Sequence, residues 1–217
     1  MPSRTKYLVN LALISAMAYV LMVVGRVPVV SFLKYDPKDI LILIGGFIYG
    51  PMASLLVSLV VSFVEMVTVS DTAWIGFWMN VLSTCSFACT AAFIYKKKQN
   101  QAGAVIGLAC GGLLAVAVML LWNYLLTPIF MNIPREKIVP LLWTTFLPFN
   151  LLKVGINAAM TMLVYKPLVQ ALRRANLIPP STAAQAPGAR KPAGALILSA
   201  CVLATCIFFV LVLNGVL

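Results

Sequence analysis

The sequence predicts an all-α integral membrane protein: a six-helix bundle followed by an extra C-terminal transmembrane helix. Of the 217 residues, 62% are hydrophobic and only 10% are charged, whereas about a quarter of the residues in a soluble domain are charged. Several apolar runs have the length, about 20 residues, that crosses a hydrocarbon core as a helix. The sequence lacks the short alternating strands of a membrane barrel.

Glycine and proline divide the chain into helices and loops. The short polar N-terminus carries no small-residue cleavage site, so we expect the first helix to be retained. Gly50 and Pro51 mark a sharp turn between helices 2 and 3, and Pro128 is expected to stop helix 5. A loop with Pro134 and Pro140 is expected before helix 6. The predicted helices cover residues 7–24, 39–49, 52–67, 73–95, 103–126 and a last stretch that reaches residue 164, with a plain loop over 25–38.

The composition changes after Arg174. Residues 1–174 form the predicted six-helix membrane domain. Residues 175–194 are rich in proline and alanine and have too little apolar surface to pack, so we expect a flexible linker. Residues 195–217 are uninterruptedly apolar and long enough to form a seventh span.

The basic residues predict the orientation of these helices. With the N-terminus in the cytoplasm, the cytoplasmic segments hold ten cations and no acid, while the outer loops hold five cations and all five acids. Cytoplasmic loops are enriched in lysine and arginine, so we expect a multi-pass plasma-membrane protein with a cytoplasmic N-terminus. The net charge of +11 is therefore mainly a topology signal, and we expect no nucleic-acid partner, only lipid around the helices.

Five cysteines lie in apolar runs. Cys85 and Cys89 stand four residues apart on one helix face, a spacing that a metal pair could use. The chain has no histidine and no further ligand nearby, so we expect packed free thiols. Neither a metal site nor a catalytic residue is predicted.

Helix 6 carries the most informative polar residues. Asn150, Lys153 and Asn157 recur at helical spacing and share one face. An ionisable residue within a span usually marks a functional site, so this face predicts a binding site that opens toward the outer side. The alternative is that Lys153 reaches the outer headgroups and the asparagines join helices.

Further polar residues are expected on the same side of the membrane. Asn123 lies near the outer end of helix 5 and Asn80 follows two tryptophans in helix 4, where packing alone is an equal explanation. The first outer loop adds Leu33, Tyr35, Asp36 and Asp39, although Asp39 could simply cap helix 2. A loop of aromatic, acidic and basic residues above a polar helical face predicts a lid on a small-molecule pocket. On helix 1, Ala12 and Ala16 are small residues four apart, a spacing that allows another helix to approach closely.

Three separated motifs carry a family resemblance. They are LKYDPKD (33–39), GGFIYGP (45–51) and PFNLLK (148–153), supported by the region of Asn123. Together they resemble the substrate-binding S components of energy-coupling-factor (ECF) vitamin transporters, and within that group the riboflavin-specific members. The resemblance spans residues 7–174, and the linker and seventh span depart from it.

The resemblance implies six helices, an outward pocket beneath the first loop, and a docking face at Ala12 and Ala16. It places flavin contacts at the positions that the residue pattern also singles out: Asp36, Asn123, Asn150 and Lys153. Riboflavin would be the transported ligand, and no cofactor is expected.

A binding subunit is therefore the leading hypothesis, with a vitamin other than riboflavin as an alternative. The chain has no GxxxxGK[ST] loop for ATP, and the resemblance names as partners two ATPase subunits and a transmembrane coupling protein. A self-sufficient ion-coupled transporter would need a carboxylate within the membrane, for which Glu65 is the nearest candidate. An enzyme is disfavoured because the chain has no histidine and no pair of acids within a span.

Overall fold

The computed structural model describes residues 4–30, 33–70, 72–174, 197 and 199–207. The elements are α1 (Arg4–Gly25), β1 (Val27–Val30), β2 (Leu33–Tyr35), α2 (Lys38–Tyr49), α3 (Pro51–Thr68), α4 (Ala73–Thr84), α5 (Thr90–Lys97), α6 (Gln101–Met131), α7 (Arg135–Leu141) and α8 (Leu147–Arg174). Two π-helical turns, Cys85–Cys89 and Leu142–Phe146, join α4 to α5 and α7 to α8 in continuous helices.

The described part of the chain is nearly all helical, as predicted. Within it, five helices are long and apolar enough to cross a membrane: Arg4–Gly25, Pro51–Thr68, Ala73–Lys97, Gln101–Ile129 and Arg135–Tyr165. The other long element, α2, has 12 residues and spans about 18 Å at the helical rise. The predicted linker (175–194) lies outside the described residues. Of the predicted seventh span (195–217), the structure describes only residues 197 and 199–207, and these are helical.

Two expectations about prolines are wrong. Pro128 does not stop the fifth helix, because α6 continues to Met131 and ends at Asn132 in the left-handed conformation (φ 53°). A proline removes one backbone hydrogen bond from a helix, and membrane helices tolerate this because neighbouring groups satisfy the freed carbonyl. Pro140 lies inside α7 rather than in a loop, and Pro134 is the N-cap of that helix. The π-helical turn follows directly after α7, and such turns relieve a disturbed hydrogen-bond ladder.

The first outer segment is not the plain loop that was expected. β1 and β2 form an antiparallel hairpin that pairs Val27 with Tyr35 and Pro28 with Lys34. Strands of three and four residues are too short to give a reliable alternating pattern, and proline argues against strand structure. Pro28 is tolerated because a two-stranded hairpin has free edges.

α2 lies at the centre of the bundle. It is buried on nearly every side from Lys38 to Phe47, as expected of a helix that is apolar all round. A Cβ on Gly46 would lie 2.0 Å from the Ser54 hydroxyl, so α3 packs directly on its backbone, and Gly50 turns the chain between them at φ 95°.

The end of the bundle away from the hairpin is filled by aromatic side chains. Phe47 stacks within 4.6 Å of Tyr95 and 5.9 Å of Tyr165, and Tyr7 meets Tyr49 at 5.5 Å, measured between ring centroids. Ring pairs at these separations are favourable and close-packed. A polar-lined cavity lies at the opposite end, beneath the hairpin.

Candidate ligand-binding site

A cavity of about 330 Å³ lies between the hairpin and helices α3, α4, α6 and α8, and adjoins a smaller one of about 130 Å³. The larger volume falls in the range of small-molecule pockets, about 300–1,000 Å³. Seven residues line both compartments, which therefore form one site: Leu33, Thr72, Gly76, Met79, Met119, Phe149 and Asn150. Most of the predicted binding residues surround this site.

The polar residues on the predicted face of α8 lie partly at the cavity and partly in the protein interior. Asn150 and Lys153 line the cavity and are 5% and 8% exposed. The Asn150 Nδ2 donates to the Phe146 carbonyl oxygen at 2.8 Å, and its Oδ1 has no partner among the described residues. Asn157 is fully buried behind them. Only the upper part of the predicted face is therefore available to a ligand.

Asp39 is not a helix cap. The N-cap position of α2 is Pro37, and the Asp39 carboxylate lies in the interior, where it accepts hydrogen bonds from Thr84 Oγ1 at 2.7 Å and Asn157 Nδ2 at 3.3 Å. Lys153 Nζ lies 3.6 Å from Asp39 Oδ2, an ion pair longer than a hydrogen bond. Asp39 thus lies behind the cavity and holds the Lys153 ammonium in place by its charge. At this distance, N–H donors of Lys153 remain for a ligand.

Glu65 organises a second buried charge cluster, which sequence reasoning missed. Its carboxylate pairs with Arg26 and Lys38 and accepts a hydrogen bond from Asn80 Nδ2 at 3.1 Å. Arg26 also donates through Nε to Asp36 Oδ1 at 2.7 Å. Buried charges are stable only when paired. This cluster and the Asp39–Lys153 ion pair together contain three acids and three cations. The available signal was that Glu65 is an acid within a span with no Lys or Arg between residues 39 and 95, so its counter-charges had to come from another part of the chain.

Asp36, Asn80 and Asn123 are buried or half-buried at the cavity. Asp36 and Asn80 line the larger compartment and Asn123 the smaller one. Asn123 is 2% exposed; its Nδ2 donates to the Met119 carbonyl at 2.7 Å and its Oδ1 accepts from Thr127. These bonds hold the amide in a fixed orientation toward the compartment.

Leu33 and Tyr35 take different places in the hairpin. Leu33 lines both compartments. Tyr35 lies outside them, and its hydroxyl donates to Asn157 Oδ1 at 2.8 Å. Burial, with the nearby carboxylates of Asp39 and Asp36, raises the pKa of the Tyr35 hydroxyl, so it stays protonated as a donor.

Ala12 and Ala16 lie on the face of α1 that the described part of the chain leaves uncovered. Both are exposed, whereas the opposite face carries the buried Leu11, Ile14 and Ala18. The predicted docking face is therefore open to a neighbour.

Comparison with protein families matches residues 6–165 to the family described as ECF transporter, substrate-specific component. The chain belongs to this family. The S components are parts of transporters, which agrees with the expectation of a binding subunit.

Two curated proteins are similar to this S component over most of their length. The riboflavin transporter RibU of Staphylococcus aureus is 27% identical over 180 residues, covering 79% of this chain and 94% of that protein. The riboflavin transporter FmnP of Bacillus subtilis is 26% identical over 190 residues, covering 80% and 99%.

A solved structure shares the fold. The S component of a bacterial ECF transporter superposes with a TM-score of 0.68 at 28% identity, covering 79% of this chain and all of that chain. The superposed part of this chain is about as long as the helical bundle, and about a fifth of the chain lies outside it.

Proposed function

We propose that this S component binds riboflavin and delivers it to a partner ATPase module in the plasma membrane, with its N-terminus in the cytoplasm. The observation that carries the proposal is one cavity that joins Asp36, Asn80, Asn150 and Lys153 to a largely apolar wall. The names of two similar proteins, both riboflavin transporters, support the choice of vitamin.

The chemistry of the cavity suits an uncharged fused ring with a polyol tail. Carbonyl, amide and hydroxyl groups of such a ligand need donors and acceptors, which the Asn150 amide, the Asp36 carboxylate and the Lys153 ammonium supply. Met79, Met119 and Phe149 offer flat or adaptable apolar surface to the ring faces. The cavity's buried charges are already paired with one another, so a neutral ligand needs no further counterion.

Energy for uptake has to come from outside the chain. The sequence has no phosphate-binding GxxxxGK[ST] loop, and two ATPase subunits with a transmembrane coupling protein are the proposed partners. The ion-coupled alternative is weaker, because the Glu65 carboxylate is already paired with Arg26 and Lys38 of the chain itself.

The vitamin can be identified by copurification. Protein isolated in mild detergent from cells grown with riboflavin is expected to carry the visible absorbance of a flavin, and the extracted compound should be riboflavin. Recovery of only a phosphorylated flavin would replace the proposed ligand. Colourless protein from riboflavin-rich cells would argue against flavin binding altogether.

A bulky residue on the exposed face of α1 should separate binding from uptake. Ala12→Trp and Ala16→Trp are expected to abolish riboflavin uptake by cells, because close helix approach needs small side chains, while purified variants still bind riboflavin. Ala117→Trp, which changes an exposed alanine on α6, is the matched control and should preserve both. Loss of binding together with uptake would mean that this face packs within the subunit.

A further inference from the structure

The C-terminal helix (residues 199–207) packs on the back of α8. A Cβ on Gly155 would lie 3.2 Å from the Cys206 Sγ and 3.9 Å from a Val202 methyl, and no other described atom lies within 4 Å of it apart from the local backbone of α8. Glycine at a helix crossing lets two backbones approach closely, which is how helices associate in lipid. Gly155 is therefore a point of close approach between these two helices.

The same C-terminal helix lies beside the base of the hairpin. Leu203 and Ile207 line a cavity of about 420 Å³ together with Tyr35 and Pro37 of the hairpin region and Ile156 of α8. Apart from the tyrosine hydroxyl, the side chains around this cavity are apolar. The C-terminal helix therefore bounds the apolar space at the base of the hairpin.

Tyr35 connects this apolar space to the ligand cavity. Its hydroxyl donates to Asn157 Oδ1 at 2.8 Å, Asn157 Nδ2 donates to Asp39 Oδ2 at 3.3 Å, and Asp39 pairs with Lys153 at 3.6 Å. Lys153 lines the ligand cavity on the opposite side of α8 from Gly155. A shift of the C-terminal helix that moved Tyr35 would therefore reach Lys153 through Asn157 and Asp39.

We propose that the C-terminal helix is an intramolecular brace that holds the hairpin over the cavity and slows release of the ligand. A two-stranded hairpin is marginally stable by itself, and this one has strands of three and four residues. Its position depends on what it packs against. The C-terminal helix lines one side of the apolar space at the base of the hairpin, and the Tyr35–Asn157 hydrogen bond is the polar contact of the hairpin with α8.

This inference rests on the proposed function, because its main readout is the dissociation rate of riboflavin from the full-length protein. Gly155→Leu drives a side chain into Cys206 and should displace the brace. We expect riboflavin to dissociate about fivefold faster, the change that corresponds to weakening one buried hydrogen bond. Cys206→Ala removes the colliding sulfur, so the double variant Gly155→Leu/Cys206→Ala should recover much of the slow release.

A disulfide gives a second measurement in the full chain. With Cys110 and Cys201 replaced by serine, Gly155→Cys places a thiol within bonding reach of Cys206. Oxidation in native membranes should link the two helices, and the linked protein should release riboflavin no faster than its reduced form. Gly155→Cys/Cys206→Ser is the control that cannot link.

Absence of the disulfide, or equal release rates for the parent and Gly155→Leu, would overturn the brace. Disulfide formation needs no flavin. If the parent and every variant failed to bind riboflavin, the proposed function would fall instead.

Discussion

Glu65→Leu is expected to lower the free energy of unfolding by about 3–5 kcal/mol, the usual cost of removing one partner from a buried charge pair. Glu65 is 3% exposed and Lys38 is fully buried. Lys38 has no other anionic partner among the described residues, so the substitution leaves an uncompensated charge inside the bundle. SDS-induced unfolding, followed by tryptophan fluorescence, measures the change.

Two variants make this result specific to the charge pair. Glu136→Leu changes an exposed acid at the start of α7 and should alter stability by less than about 0.5 kcal/mol. Lys38→Met/Glu65→Leu removes both charges, leaves Arg26 paired with Asp36, and should recover much of the lost stability. A double variant as unstable as Glu65→Leu would mean that packing, not charge, explains the loss.

Lys153→Met should weaken riboflavin binding by about 5- to 150-fold, or about 1–3 kcal/mol, the cost of leaving a buried polar group of the ligand without a partner. Methionine keeps most of the length of lysine but has no charge and no donor. Asp39 retains its hydrogen bonds from Thr84 and Asn157, so part of the support behind the cavity survives. Fluorescence titration of the purified variant measures the affinity.

Asn150→Leu should cause a similar loss, because its Oδ1 is available to a ligand in the described structure. Lys137→Met, which changes an exposed cation in α7, is the control and should bind as the parent does. If Lys153 only reached the lipid headgroups, Lys153→Met would bind riboflavin with unchanged affinity. Equal affinities in all three variants would contradict the proposed cavity.

The helices were predictable because apolar length and breakers act locally. Most predicted boundaries lie within three residues of those observed, and the failures are instructive. Pro128 and Pro140 lie inside helices, since membrane helices tolerate a proline whose lost hydrogen bond is made good by neighbouring groups or by a local π-helical turn. The hairpin was missed because its strands have only four and three residues, too few for an alternating pattern to be recognised in the sequence.

The site was only partly predictable for a similar reason. Asn150 and Lys153 could be grouped because helical spacing puts them on one face. The partnership of Glu65 with Arg26 and Lys38 could not, because these residues come from three elements whose packing is tertiary. Asp39 shows the same limit: a first-turn carboxylate is typical of a cap, and only the position of Thr84 reveals its actual hydrogen bond.

One riboflavin is expected to bind per chain, in the cavity beneath the hairpin. Titration of the detergent-purified protein with riboflavin, followed by flavin fluorescence, measures this binding. Enclosure of the ring against Met79, Met119 and Phe149 should quench the fluorescence until one riboflavin is bound per chain. Fluorescence that stays unchanged at micromolar protein, with the protein folded and monodisperse, would contradict it.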